Sequence, residues 1–556
     1  MKRNFILSSF TIVLCFFSNS LWSQIVTKQV VVSFAVSPTP LADIANVRAY
    51  ADQKGVSIST VDKLQCIPYT YLWSLTGTLD NIITTVDYIS TRPNGGSSSQ
   101  NGGTGTRTLE DAPIQVAPVL PPCVSKDSVD AYSFCRNVND QPVLMAVIDD
   151  GIGKTFAGSR GTTVNTETFF QPYLWSNPAS NAKGTIGYNF INKSTDPTSD
   201  NAEHGSAVTF RIVNMLRKAN VTNVKIMVLQ SHNPLTGTGT VWNVCQALDF
   251  AYCNNANIIN MSVGGLLGKI TSPERPTPIE AAGASVFEAL FKYMQQTKNI
   301  LIVAAAGNEG QNVTVPRRDG QRYCTASYSV PNLIEVAANA NCSDKLAAFS
   351  NYGSPNVHLA APGESVYCAV PVTRANPSGI ALKSGTSLAA PHVSAAAAIL
   401  ATNRSFSEFN AALIIKSLTE PESVTRIGAL EGMVSSSGRL NTCKALTVFL
   451  RNSGARIGAA NPSNNTEGVT KTALDALNVS PNPVTSTFTV SFTSGQEAQT
   501  DVVIRDILGR NVLQQNWSIY NGKNDLTIDA GTLNKGIYFI NMRINEQNIV
   551  QKIIKN

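Results

Sequence analysis

Short, uninterrupted runs of apolar residues dominate the middle of the chain, from residue 121 to residue 450. Strands that are apolar without alternation are those buried on both faces, as in a parallel sheet covered by helices on each side. The runs alternate with stretches that repeat apolar residues at helical spacing. The pattern therefore predicts an α/β fold for this region. The predicted strands are VLMAVID, VKIMVLQ, NIINMSV, NILIVAAAGN, LIEVAANA and NVHLAAPG.

Different patterns flank this region on both sides. Residues 24–120 mix strand-like and helix-like segments, which predicts a small α+β domain. It contains NGGSSSQNGGTGTRT, a Gly/Ser-rich stretch predicted to be a flexible loop because it buries little apolar area. The segment PIQVAPVL beyond it is predicted to be a last strand. Residues 451–475 are small and polar, which predicts a linker, and residues 476–556 alternate apolar and polar positions, which predicts an all-β sandwich.

The first 23 residues have the pattern of a secretory signal peptide. Lys2 and Arg3 precede an apolar run from Phe5 to Phe17, and small or polar residues follow to Ser23. This run is too short for a membrane anchor, and no later stretch reaches the ~18 to 20 apolar residues that a span needs. The net charge of +6 comes without a cluster of Lys and Arg, so neither nucleic acid nor an anionic membrane is expected as a partner.

The cysteines predict disulfides rather than a metal site. The chain has 10 cysteines without CxxC pairs, so a zinc cluster is not expected, and Cys15 would leave with the signal peptide. Cys245 and Cys253 lie too far apart on one predicted helix to bridge each other, so each needs another partner or stays reduced. Export favours disulfides between pairs in or beside loops. The candidates are Cys123 with Cys135, and Cys324 with Cys342.

Four polar residues lie at the ends of predicted strands or at the starts of predicted helices, where α/β folds form their active sites. Asp149 ends the predicted strand VLMAVID, and Asn308 ends NILIVAAAGN. His204 opens the helix of AEHGSAV, and Ser387 follows the turn-forming Gly385 in SGTSLAAPHV. Acyl transfer to a serine needs a base, a carboxylate that orients the base, and donors for the developing oxyanion. These residue types predict a serine-centred acyl-transfer site.

The same segments resemble the subtilisin family of serine proteases, in which the triad follows the order Asp, His, Ser. The resemblance implies Asp149 as the orienting acid, His204 as the general base and Ser387 as the nucleophile. It implies Asn308 as an oxyanion donor beside the backbone N–H of Ser387. In NMSVGG it implies substrate-binding roles on the peptide backbone and in the first specificity pocket, for Ser262, Val263 and Gly264.

Departures from the family pattern bear on packing and on metal binding. Ala207, Thr209 and Phe210 replace the residues that usually follow the histidine on its helix, so helix packing is expected to differ there. No cofactor is expected for the chemistry. Structural calcium is not supported, because Asp196 and Asp200 stand nearly alone in the segment that often carries paired acids. Asp150, beside the triad acid, is either a substrate-contacting acid, as in kexin-like members, or a solvated turn residue.

The flanking regions carry resemblances of their own. Residues 24–120 resemble, by position and pattern, the inhibitory β-α-β-β-α-β propeptides of subtilases; the alternative is an unrelated domain that is retained. Residues 476–556 resemble the type A sorting domain of the type IX secretion system of Bacteroidetes, whereas a substrate-binding sandwich is the alternative. The matching segments are VSPNPV, IRDILGRNV around Gly509, LNKGIYFINM with Gly536 and Tyr538, and QKIIKN with Lys552.

Together these features predict a secreted or surface-exposed serine endopeptidase that passes the periplasm and outer membrane. Its expected partners are a protein or peptide substrate, its own propeptide and the type IX secretion machinery. Two other functions use the same residues or the same fold. One is a peptide acyl transferase that excludes water, and the other is a catalytically silent surface binding protein.

Overall fold

The structure is a computed structural model that describes most of the chain outside its first 24 residues. The described residues are 25–37, 39–90, 97–100, 141–158, 162–176, 185–262, 265–267, 286–315, 322–340, 344–403, 409–452, 478–494, 497–506, 511–544 and 547–556. The predicted signal peptide, the predicted strand PIQVAPVL and most of the predicted linker 451–475 lie outside them. So do Val263, Gly264, Cys123, Cys135 and Cys342.

The N-terminal region is a small antiparallel sheet with two helices on one face. Its strands are hydrogen-bonded in the order β2-β3-β1-β4, and apolar residues of α1 and α2 pack against β1 and β3. This confirms the predicted α+β class. The elements are β1 (Ile25–Ser33), α1 (Pro40–Gln53), β2 (Ser57–Lys63), β3 (Thr70–Thr78), α2 (Leu79–Ser90) and β4 (Ser97–Gln100).

The strand β4 corrects one prediction, because it lies inside the Gly/Ser-rich stretch that was predicted to be a loop. Its four residues pair antiparallel with Val30–Ser33 of β1. Pairing at a sheet edge uses only backbone N–H and C=O groups, so the stretch needs no apolar side chains to form it. The amino-acid composition of this stretch therefore could not predict the strand.

The middle of the chain forms the predicted α/β fold. Nine described strands form one sheet in the order β18-β19-β15-β14-β12-β10-β5-β9-β8, parallel except for β18 at the edge. Three further pairs of strands, β6-β7, β11-β13 and β16-β17, lie outside this sheet. The strands of the whole middle region are β5 (Val143–Asp149), β6 (Thr155–Ala157), β7 (Thr163–Asn165), β8 (Gly187–Asn189), β9 (Val224–Gln230), β10 (Ile258–Met261), β11 (Gly265–Leu267), β12 (Leu301–Ala305), β13 (Arg322–Cys324), β14 (Leu333–Asn339), β15 (Leu359–Pro362), β16 (Val366–Ala369), β17 (Ile380–Lys383), β18 (Val424–Arg426) and β19 (Gly438–Leu440).

Helices cover both faces of this sheet, as the unalternated strands require. One face packs against α4 and α7 to α9, and the other against α5 and α6. The helices are α3 (Thr166–Phe170), α4 (Glu203–Lys218), α5 (Val241–Cys253), α6 (Val286–Lys298), α7 (Thr386–Thr402), α8 (Ala411–Thr419) and α9 (Thr442–Asn452).

The order of the strands places a binding edge at β5. The strands β8 and β9 lie on one side of β5, whereas β10 and the strands that follow lie on the other. Ligands of open α/β sheets bind outside the carboxyl ends of the strands where the order reverses in this way. Asp149 is the last residue of β5, so the fold delivers this carboxylate to that edge.

The C-terminal region is all-β, as predicted. Two antiparallel sheets, β20-β21-β24 and β23-β22-β25-β26, enclose one apolar core. Its strands are β20 (Asn478–Ser480), β21 (Thr487–Ser494), β22 (Ala498–Asp506), β23 (Asn511–Ile519), β24 (Gly522–Asp529), β25 (Gly536–Ile544) and β26 (Gln547–Lys555). Across the described residues, we find no helix whose length and apolar character would carry it through a bilayer.

The cysteine pairing differs from the prediction. Cys66, in the N-terminal region, is disulfide-bonded to Cys253 at the end of α5, with 5.6 Å between their Cα atoms. Cys324 keeps its thiol, so its predicted pairing with Cys342 is wrong; it is buried in the core between the sheet and α5 and α6. Cys443 is disulfide-bonded as well. The partner of Cys253 was missed because it comes from a region 187 residues away.

Candidate active site

Three of the predicted residues meet at the carboxyl edge of the sheet. His204 Nδ1 lies 2.7 Å from Oδ1 of Asp149, and His204 Nε2 lies 2.9 Å from the hydroxyl oxygen of Ser387. Asp149 is fully buried, whereas the His204 side chain is 14% exposed. A carboxylate, an imidazole and a hydroxyl in this line have the geometry for proton transfer from the serine to the imidazole.

Each of the three comes from the end of a different element. Asp149 ends β5, and its Oδ1 also accepts the backbone N–H of Asp150. His204 is the second residue of α4. Ser387 is the second residue of α7, which follows Gly385 with a φ of 150°, a conformation that favours glycine. The sequence motif therefore predicted the sharp turn that precedes the serine.

Asn308 is hydrogen-bonded to Thr386, the residue that precedes the serine Ser387. Its Oδ1 accepts both the backbone N–H of Thr386 at 2.8 Å and the Thr386 hydroxyl at 2.9 Å. The same hydroxyl accepts the backbone N–H of Gly307 at 3.1 Å. Because Oδ1 is held on one side, the donor nitrogen of the amide lies on the other. Thr386 thus orients the residue predicted to bind the oxyanion.

Ser262 also reaches the nucleophile, but with its side chain directed inward. Its buried hydroxyl donates to the backbone carbonyl of Ser387 at 2.8 Å and accepts from the amide of Asn260 at 2.9 Å. Oδ1 of Asn260 in turn accepts the hydroxyl of Ser394 at 2.7 Å. The substrate-binding role predicted for the backbone of Ser262 stays a prediction, and Val263 and Gly264 lie outside the described residues.

The comparisons with known proteins place the chain in a family. Residues 140–424 match the family model described as the subtilase family, and residues 478–556 match the model of a secretion system C-terminal sorting domain. The chain belongs to the subtilase family.

Relatives of this subtilase include subtilisins of Bacillus species. Subtilisin NAT of Bacillus subtilis subsp. natto is 30% identical over 252 residues, which cover 44% of this chain and 56% of the relative. Subtilisin of Bacillus pumilus is 30% identical over 252 residues, which cover 44% of this chain and 78% of the relative. The subtilase therefore spans little more than half the length of the first of these relatives.

Among solved structures, the epidermin leader peptide processing serine protease of Staphylococcus aureus is similar with a TM-score of 0.47 and 15% identity. The match covers 76% of this chain and 99% of that chain.

Three of the four histidines of the subtilase lie outside the hydrogen-bonded line of Asp149, His204 and Ser387. His232 is buried and His358 is partly buried, and loss of solvent around the ring lowers the pKa of each to about 4. His392 is buried too, and burial together with the charge of Arg211 lowers the pKa of His392 well below its usual value. A guanidinium nitrogen of Arg211 lies 2.8 Å from Nε2 of His392, which links α4 to α7. These three histidines are therefore neutral at pH 7, and their roles are structural.

Asp150 does not lie at the surface, as a solvated turn residue would. It is 4% exposed, and its Oδ1 accepts the backbone N–H of Gly205 at 2.7 Å. Burial, followed by the negative charge of Asp149, raises the pKa of Asp150 to about 8. Its neighbours therefore keep it largely protonated at neutral pH.

Sequence reasoning missed the residues that support the triad. Thr386, Asn260 and Arg211 form buried hydrogen bonds to the elements that carry Asn308, Ser387 and His392. One signal was present, since Asn260 interrupts the apolar strand IINM with an amide. A buried polar group must find a partner, so a lone amide in such a strand marks a hydrogen-bond network.

Proposed function

We propose that this chain is a serine endopeptidase that hydrolyses peptide bonds through an acyl-enzyme on Ser387. The observation that carries the proposal is the line of hydrogen bonds from Asp149 through His204 to Ser387. Membership of the subtilase family and the names of the curated relatives support it.

In the proposed reaction, the Ser387 hydroxyl attacks the peptide carbonyl while Nε2 of His204 takes its proton. Asp149 holds the imidazole in the tautomer that leaves Nε2 able to accept. The amide nitrogen of Asn308 and the backbone N–H of Ser387 would bind the oxyanion of the tetrahedral intermediate. His204 then protonates the leaving amine, and water cleaves the acyl ester by the reverse path.

The flanking regions extend the proposal to export and maturation. The match of residues 478–556 to a secretion sorting domain supports delivery by type IX secretion to the cell surface or the medium. For the N-terminal region we infer a propeptide role, which its element order β-α-β-β-α-β supports. No cofactor has a step in this mechanism.

One experiment tests the catalytic proposal. The purified chain and its Ser387→Ala variant are treated with a fluorophosphonate probe and with a mixed peptide library. We expect labelling and cleavage by the wild type alone. If the wild type is not labelled, or if both proteins cleave peptides equally, the proposal is wrong. Joined rather than cut peptides would instead indicate an acyl transferase.

A further inference from the structure

The first turn of α4 carries His204 but has no cap of its own. The N-cap residue is Ala202, which has no side-chain acceptor for the first backbone N–H groups of the helix. The acidic residue of the first turn, Glu203, forms an ion pair with Lys383 at 3.0 Å. The N–H of Glu203 donates to the carbonyl of Asn201, so the acceptor that is missing is the one for the N–H groups of His204 and Gly205.

Asp150 supplies that acceptor. Its Oδ1 lies 2.7 Å from the backbone nitrogen of Gly205, the third helical residue, whose N–H a capping side chain normally accepts. The backbone N–H groups of Gly205 and His204 both stabilise the ionised form of this carboxyl group. The acceptor is thus placed like an N-cap side chain, although it comes from the end of another strand.

The contact is also too close for any other residue at position 205. A Cβ atom built on Gly205 would collide with the carbonyl oxygen of Gly151 and come within 2.9 Å of Oδ1 of Asp150. The turn after β5 therefore lies directly on the first turn of α4. Asp149 holds the imidazole ring of His204, and Asp150 holds the backbone beside it.

On the basis of the proposed function, we propose that Asp150 is a positioning residue, whose carboxyl group anchors the first turn of α4 and thereby fixes His204 between Asp149 and Ser387.

The surroundings of Asp150 favour this role over contact with a charged substrate. The titratable groups that influence it are Asp149 and His204. His232 lies beyond them, close to Asp149, and is neutral at pH 7. A protonated carboxyl group still accepts an N–H through its carbonyl oxygen. The anchor therefore does not require a charge, and asparagine at position 150 would preserve it.

The test compares Asp150→Ala and Asp150→Asn with the wild type. We measure fluorophosphonate labelling rates, and kcat and KM on matched peptides with Lys, Ala or Leu before the cleaved bond. Asp150→Ala is expected to lower kcat and the labelling rate roughly 10- to 100-fold for all peptides, with KM within about twofold, because small misplacements of a catalytic group are costly. Asp150→Asn is expected to stay within about threefold of the wild type.

Two further variants make the test specific. Asp200→Asn removes an exposed acid from the segment before α4 and should behave as the wild type. Asp150→Ala combined with Ala202→Ser supplies a local N-cap and should recover part of the lost kcat. If Asp150→Ala does not fold, the Asp150→Asn variant decides: an active protein supports the anchor, and a folded but inactive protein overturns it.

The remaining outcomes separate this inference from the proposed function. A wild type that is not labelled contradicts the proposed function. A labelled wild type with an equally active Asp150→Ala variant contradicts only the positioning role. A loss confined to the Lys peptides, or seen mainly in KM, would overturn the anchor in favour of substrate recognition by Asp150.

Discussion

The orientation of the Asn308 side chain is fixed by another residue, Thr386. Its Oδ1 receives two hydrogen bonds from Thr386, the residue before the proposed nucleophile. The motif AAAGNEG predicts Asn308 itself, whereas nothing in the local sequence shows that a threonine 78 residues away orients it. A side chain held by both a backbone N–H and a hydroxyl has little freedom to rotate, so its donor is fixed before substrate binds.

We predict that Asn308→Ala lowers kcat by roughly 10² to 10³ and changes KM little, a magnitude known from the matching asparagine of subtilisin itself. The physical reason is that the amide would donate mainly to the oxyanion of the transition state. Steady-state kinetics on a peptide substrate checks this. Thr386→Val is the matched variant, since it keeps Asn308 and one of its two anchors, and it should lose less. Unchanged turnover of Asn308→Ala would exclude the oxyanion role.

A second residue-scale prediction concerns Glu335, which is fully buried in β14. Burial raises the pKa of Glu335 from 4.5 to about 8, and the Thr325 side chain lowers it only in part. The folded chain therefore binds more protons than the unfolded chain between these values. The stability from this group is complete below pH 4.5 and is lost as the pH rises towards 8.

Glu335→Gln should accordingly flatten the fall in Tm between pH 5 and pH 8, with a gain of a few kcal/mol in stability at the alkaline end. Calorimetry of the whole chain, in a Ser387→Ala background that prevents self-cleavage, measures the effect. Glu431→Gln, a change at an exposed acid, is the control. Parallel Tm curves for Glu335→Gln and its parent would contradict the assignment.

At the scale of elements, the strand β10 and the helix α7 are joined by a buried polar chain. Ser394 donates to Asn260, Asn260 donates to Ser262, and Ser262 donates to the carbonyl of Ser387. The central amide serves both hydroxyl groups. Its loss would leave two buried groups with fewer partners, whereas the loss of Ser394 would leave one.

We therefore expect Asn260→Ala to destabilise the fold by about 2 to 4 kcal/mol and Ser394→Ala by about 1 to 2 kcal/mol. Urea unfolding of both variants in the Ser387→Ala background gives the comparison. The order of the two effects is the critical result. Equal losses, or a larger loss for Ser394→Ala, would show that the amide is not the centre of the network.

The strands and helices could be predicted from the sequence where a single physical rule determines them. The unalternated runs VLMAVID and VKIMVLQ became β5 and β9, because burial on both faces leaves no room for polar side chains. The strand β4 and the inward direction of Ser262 were not predictable, because backbone pairing and buried hydrogen bonds depend on partners distant in the chain. The triad was predictable only because short motifs fix each residue at the end of an element.

At the scale of the whole molecule, the N-terminal region is bound by three kinds of contact to the α/β region that matches the subtilase family, residues 140–424. Apolar side chains of β1 and β3 pack on α5 and α6. The Asp249 carboxylate accepts the backbone N–H groups of Gln65, Cys66 and Ile67 at 2.7 to 3.0 Å. The Cys66–Cys253 disulfide crosses the same interface. Non-covalent contacts and a covalent bond thus converge on the end of α5.

We predict that a cut between residues 101 and 122, before Cys123, leaves the N-terminal region attached to the rest of the chain until the Cys66–Cys253 disulfide is reduced. A disulfide survives dilution and denaturation, and it keeps the two pieces at a high effective concentration. The cut protein should therefore run as one species on a denaturing gel without reductant and as two species with it. Cys253→Ser should give two species under both conditions. A wild-type protein that separates without reductant would show that removal of the N-terminal region does not depend on this bond.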